Sequence, residues 1–500
     1  MTQQATRPSV LAIALPTGFA AASAMWVVGF LTRLPAIDLP GPVTAAVLGA
    51  ILFGASARAG YRRVTPVHAV LCGVGTALVA AVVNLMILGS LLTDESGGEH
   101  PSIALAILGF FGGSAVLGGI AGAIAGHLGR NNPRPRDETG GRAHFAAFAI
   151  IAAFAMLPVL LVGGLVTSND AGLSVPDWPT SYGLNMVLFP LSRMTGGIYY
   201  EHAHRLFGML AGLGVVLLLA WAIVRAIKGD RSHPASAPRR DVALALIALL
   251  AVSLQGVLGG VRVTEASGSS DPANITTNYD AARDAGEINQ PNFALTRDTK
   301  GSRGLALVHG VTGQLTFALL AVIAAMLCPA WISARERARN GDAHPHDRTL
   351  QATAYFLVGA VFLQLAMGAT VRHTHQTHAL YTHIGLAFVV VFLAAIAGLR
   401  AISKQRHIRN LRRFGNGALH STLAQFTLGW AALFVVVPRY GEAPPDPAAA
   451  VIVATAHQFI GAIVIAMSAL LAAWTWRETH ASQRNTRAAD AANSEGDAQP

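Results

Sequence analysis

The stretch YEHAHRLFGMLAGLGVVLLLAWAIV, Tyr200 to Val224, places an acid, two imidazoles and a guanidinium at the mouth of an unbroken apolar run. A run of that length crosses a bilayer as one helix. Ionisable groups at membrane depth are costly and persist mainly where they have a function or a partner. On a helix, Glu201 and His204 share a face, while His202 points about 200° away from His204. His204 is therefore the histidine expected to face the same interior as the carboxylate.

Similar runs fill the rest of the chain. Its 500 residues are 53% hydrophobic and 12% charged, with a mean hydropathy of +0.47, which excludes an ordinary soluble domain. Apolar runs bounded by polar or Gly/Pro-rich turns predict about twelve transmembrane helices. They lie roughly at 10–31, 42–58, 67–92, 103–128, 144–166, 202–227, 242–262, 304–329, 351–371, 379–400, 416–437 and 450–475. The expected fold class is an all-α integral membrane protein.

The loops set the orientation. Arg62-Arg63, Arg130/Arg134/Arg136/Arg142, Lys228/Arg231/Arg239/Arg240, Arg335/Arg337/Arg339 and Arg400 to Arg413 fall on one side. The other side holds Asp94, Glu95 and the long 167–200 and 263–303 stretches, the latter with Arg283, Arg297, Lys300 and Arg303 among its acids. The positive-inside rule then puts both termini in the cytoplasm. Nine residues before the first span are too few for a transit peptide, so a bacterial cytoplasmic membrane is expected. The formal charge of +10 reads as topology; the lipid bilayer is the implied partner, and nucleic acid is not. Only two cysteines occur, Cys72 and Cys328, with no CxxC or CxxCH. Disulfide frameworks, structural zinc and covalently attached heme are thus unsupported.

The polar, Pro/Gly-bearing segment Arg130 to His144 is the main boundary. Before it, residues 1–130 form a four-helix membrane region of unknown role, in which His68 and Asn84 read as satisfied interior polar residues. Residues 481–500 read as a disordered tail. The eight helices between repeat in pairs. One helix of each pair exits at glycine (Gly163-Gly164, Gly259-Gly260, Gly368, Gly429), and the next begins near His204, His309, His383 or His457. The contexts are alike: His204-Arg-Leu-Phe-Gly, His309-Gly-Val-Thr-Gly, His383-Ile-Gly-Leu-Ala and His457-Gln-Phe-Ile-Gly. A unit duplicated in the same orientation follows, two parallel four-helix repeats at 144–330 and 350–476.

Two histidines from facing helices can hold one heme iron axially, and four make two sites. The glycines leave room for a flat macrocycle, although close helix packing needs them equally. Glu201 has Leu380 as its counterpart in the second repeat. The first site thus suits proton-coupled chemistry, and the second suits holding a heme and passing electrons. A salt bridge from Glu201 to Arg205 is the bland alternative. His378 and His383 both stand at the start of one helix; His383 lies inside the apolar run. For His373, His375 and His378 a polar membrane-surface turn outweighs a copper or zinc site.

From about Phe145 to Trp476 the chain resembles the heme A synthase family, membrane enzymes that oxidise the C8 methyl of heme O to a formyl group. The resemblance is carried by Gly163-Gly-Leu-Val-Thr-Ser168, the loop Asp170-Ala-Gly-Leu-Ser-Val-Pro-Asp-Trp-Pro-Thr-Ser-Tyr-Gly183, Tyr200-Glu-His-Ala-His-Arg-Leu-Phe-Gly208 and Gln255-Gly-Val-Leu-Gly-Gly-Val-Arg-Val-Thr264. Leu307-Val-His-Gly310, Gly368-Ala-Thr-Val-Arg-His373 and Ala456-His-Gln-Phe-Ile-Gly461 add to it. It implies that His204 and His309 flank the substrate, heme O, with Glu201 as the catalytic carboxylate. His383 and His457 would ligate a heme b cofactor. It also implies successive hydroxylations, electrons from a quinol or redox protein, heme O supplied by heme O synthase, and a product destined for terminal oxidases.

Three features depart from the family pattern. The first outer loop lacks the cysteine pair that many members carry; the third outer loop, His373 to His378, runs almost directly into Tyr381-Thr-His383 with no second Asp-Trp-Pro-like stretch; and the N-terminal four helices lie outside the pattern. Pro176-Asp177-Trp178-Pro179 reads as part of a cap on the first pocket or as an interfacial anchor. Read from residues alone, two other functions compete: a diheme, quinol-linked electron-transfer protein that leaves heme unmodified, and a proton-coupled transporter. The transporter calls for broken helices with charges near mid-membrane, whereas the histidines cluster toward one side.

Overall fold

The computed structural model describes residues 9–34, 36–61, 65–88, 103–130, 141–229, 237–267, 272–290, 294, 298–339, 347–436 and 446–496. Arg62, Arg63, Asp94, Glu95, Arg134, Arg136, Arg231 and Arg297, which enter the topology argument, lie outside these residues, as do 497–500. Among the described residues, twelve helices are long and apolar enough to cross a membrane. Among the described residues there is no strand, only an isolated bridge between Ser181 and Leu184.

The first four helices are α1 (Val10–Thr32), α2 (Gly41–Gly60), α3 (Pro66–Leu88) and α4 (Ile103–Leu128). Next come α5 (Arg142–Phe154), α6 (Met156–Ser168), α7 (Gly196–Ile227), α8 (Pro238–Ser267), α9 (Pro272–Asp284), α10 (Lys300–Leu327) and α11 (Pro329–Arg339). The last four are α12 (Arg348–Thr374), α13 (Thr377–Ser403), α14 (Arg409–Val435) and α15 (Pro447–Gly496). Together α5 and α6 make one span. They part at Ala155 because Pro158 has no N–H to give the carbonyl one turn back. Helix α15 runs on through 481–496, where a disordered tail is expected from composition. That stretch is alanine-rich and meets no proline before Pro500, so nothing local stops the helix.

The chain divides into two compact units: 1–159, 171–249 and 267–296 form the first, and 160–170, 250–266 and 297–500 the second. This division does not follow the boundaries read from sequence. It cuts α6 and α8 partway and groups the N-terminal helices with α5 and α7. Within the first unit, Phe19 meets Phe148 on α5 at 5.5 Å between ring centres, and Phe30 stacks on Tyr199 of α7 at 5.1 Å. Trp26 and Phe30 both set their edges against Phe207. Asn84 accepts the Trp26 indole N–H at 3.1 Å, a satisfied interior polar group. Arg142 belongs to the basic loops by sequence, yet it is buried and gives its guanidinium to Asp241 at 2.8 and 3.3 Å.

Local chemistry fixes the ends that matter for the site. Gly196 starts α7 at φ +50°, where a Cβ would sit 2.5 Å from the carbonyl oxygens of both Ile288 and Gln290; only glycine fits. In the second unit, Asp347 caps α12, accepting from Leu350 N–H at 3.0 Å, Arg400 Nε at 2.7 Å and Gln405 at 3.1 Å. Burial alone would raise its carboxyl, but these donors hold it below the usual carboxylate range.

Candidate functional site

In the first unit the site is built on the opening turns of α7. Glu201 is 4% exposed. Its Oε1 accepts from Arg205 at 2.9 Å and its Oε2 from the Val175 N–H at 2.9 Å. The Arg205 guanidinium goes on to the carbonyls of Val175 (2.8 Å), Asp177 (2.7 Å) and Thr180 (3.0 Å). The salt bridge read as the bland alternative is thus present. It clamps the loop 171–183 to α7 through backbone groups that a helical wheel does not reveal.

The loop is also tied within itself. The Asp177 carboxylate accepts the N–H groups of Tyr182 (2.7 Å) and Gly183 (2.8 Å), both left-handed in backbone. The Tyr182 hydroxyl donates to the Ser174 carbonyl. Burial, aided by the negative charge of Glu201, pushes that hydroxyl well above its ordinary value, so it stays a donor. Val175, Tyr182, Phe189, Ile198, Tyr279 and Ile288 pack into one apolar cluster over the start of α7. Trp178 is 40% exposed, as an interfacial anchor would be.

The two histidines part company. His202 is buried among the loop residues, with Ser181 Oγ 3.1 Å from Nδ1 and its ring against Phe189. His204 instead turns to α6, where Nδ1 donates to the Val159 carbonyl at 3.1 Å.

His309, His383 and His457 belong to the second unit. Each ring lies on the glycine of the preceding helix. A Cβ on Gly259 would stand 3.4 Å from His309 Cε1, one on Gly368 2.8 Å from His383 Cε1, and one on Gly429 3.3 Å from His457 Cε1. His383 Nδ1 donates to the Gln364 carbonyl at 3.0 Å, which leaves the lone pair on Nε2. The Gln364 and Gln425 side-chain amides lie 3.4 Å and 3.2 Å from Nε2 of His383 and His457. The rings of His383 and His457 are 6.2 Å apart, nearly perpendicular. Two imidazoles on opposite sides of one metal, each bonded at about 2 Å, have their centres roughly 6 Å apart. The donor set, the backbone-fixed tautomer and the glycine against each ring therefore fit an axially ligated heme. His378 is exposed and takes no part in this pair. Among the described residues no three His, Cys, Asp or Glu side chains are placed to hold a metal ion, His373, His375 and His378 included.

Residues 146–384 match the cytochrome oxidase assembly protein family, COX15-CtaA. The match covers a little under half of the chain and includes Glu201, His204, His309 and His383; His457 and the N-terminal helices lie outside it. That stretch is similar to this family, in agreement with the resemblance its motifs carry. No curated protein and no solved structure matches the chain.

Three glutamines recur beside these histidines at positions that apolar periodicity does not mark. Gln255, Gln364 and Gln425 each stand four residues before the glycine that seats a histidine, and Val159 holds that place before Gly163. The signal was available as Gln-x-x-x-Gly, repeated in three of the four helices.

Proposed function

We propose that the protein is a heme A synthase, an oxidoreductase that converts the C8 methyl of heme O to a formyl group by successive hydroxylations. The observation that most supports this reading is the His383–His457 pair, in a chain that matches the cytochrome oxidase assembly family. His383 and His457 hold heme b, which when bound supplies electron transfer. The resemblance assigns His204 and His309 to heme O, the substrate. Glu201 is the catalytic carboxylate of that half. Its Oε1 accepts from the Arg205 cation and its Oε2 only from the neutral Val175 N–H, so Oε2 is the oxygen that takes or returns a proton. Arg205 holds the loop 171–183 over the start of α7, where it excludes water from the substrate half. The setting is a bacterial cytoplasmic membrane with both termini in the cytoplasm. Heme O synthase supplies the substrate, and a quinol or redox protein supplies electrons.

The test is expression in a host that makes heme O but not heme A, followed by chromatography of the extracted hemes. Heme A in the extract supports the reading. Bound heme b with no heme A indicates a diheme electron-transfer protein instead.

A further inference from the structure

Two arginines stand on the helix ends opposite the basic loops, where the positive-inside bias disfavours them. Arg262 lies three residues past Gly259, and Arg372 four past Gly368, the glycines that seat His309 and His383. Four helical residues rise about 6 Å, one turn. Arg262 buries its Nε without a hydrogen-bond partner. Arg372 gives Nη2 to the Thr167 carbonyl at the end of α6. The next residue of α6, Ser168, accepts from Thr455, two residues before His457. Arg372 is thus bonded to the end of α6 that also meets the His457 helix. Arg262 and Arg372 converge on the neighbourhood of His373, with His375 as a further basic neighbour and Asp298 as the opposing acid. Arg372 stands one turn beyond the glycine that seats His383, and Arg262, about one turn beyond the glycine that seats His309, keeps a buried N–H with no partner; together they call for an anion. The planar fork of arginine matches a carboxylate.

We propose that Arg372, aided by Arg262, binds the propionate carboxylates of the heme held by His383 and His457. The inference rests on reading that pair as the heme b site. The competing role for Arg372 is a cap on the last carbonyls of α6, which needs no heme.

The experiment uses the purified full-length protein with its bound heme, in wild-type, Arg372→Gln, Arg372→Lys and Arg262→Gln forms. It reads the heme midpoint potential and the rate of heme loss to excess apomyoglobin. Reduction adds negative charge, so removing a nearby cation lowers the potential. Arg372→Gln should lower it and speed heme loss tenfold or more; Arg372→Lys should keep the potential near wild type. Arg262→Gln should shift both readings the same way by less, and it decides the matter if Arg372→Gln yields no folded protein. If both Gln variants keep the wild-type potential and release rate, the propionate site is refuted and Arg372 is only a helix cap. If wild type carries no low-spin heme, or His383→Ala keeps the wild-type spectrum, the failure belongs to the heme b reading instead.

Discussion

Removal of the Glu201 carboxylate tests the clamp and the chemistry together. Glu201→Ala leaves the buried Arg205 without its acid and the Val175 N–H without an acceptor. Breaking a buried ion pair by deleting one partner costs about 3–5 kcal/mol. With 1.4 kcal/mol per tenfold, the closed loop should lose roughly a hundred- to several-thousand-fold in its closing equilibrium. Glu201→Gln keeps the shape and one acceptor but loses the charge. At about 1.5–3 kcal/mol for a charged hydrogen bond, its effect should be roughly ten- to a hundredfold. The readout is amide hydrogen exchange at Tyr182 and Gly183, whose N–H groups bond to Asp177 and so report the loop rather than the lost contact. Unchanged exchange at both amides in Glu201→Ala would refute the clamp. Heme A formation is followed in parallel, and wild-type yield from Glu201→Gln would end the catalytic assignment.

Other expectations follow from the second unit. Gly368→Val places carbon against His383, where even a Cβ stands 2.8 Å from the ring, so the reduced-minus-oxidised spectrum should lose most of its heme b signal. On the reading that His383 and His457 hold one heme between them, His383→Ala or His457→Ala should each abolish the low-spin spectrum. Asp347 titrates below its unfolded value of about 3.9, so its contribution to stability is present above that pH and is lost as pH falls through the lower folded value. Melting between pH 6 and pH 3 should show a stability loss at the acid end that Asp347→Asn removes, because asparagine can keep the cap but has no carboxylate to titrate.

Much of this protein is written locally. Apolar runs of spanning length fix twelve helices, because in lipid a helix is what satisfies every backbone group within one segment. The recurrence of glycine and histidine marks the paired helices, and the spacing of Glu201 and Arg205 already allows their salt bridge. Tertiary structure alone decided the partners. Arg205 reaches three loop carbonyls because the turn held by Asp177 points them inward, and no periodicity encodes that direction. His383 and His457 come from α13 and α15, and their 6.2 Å approach depends on small residues letting helices close. The grouping of α1 with α7 rests on aromatic contacts at Phe30 and Trp26 that in sequence look like any lipid-facing side chain. An apolar face in a bilayer is equally at ease against lipid or against another helix, so composition determined the spans and only packing determined which of them meet.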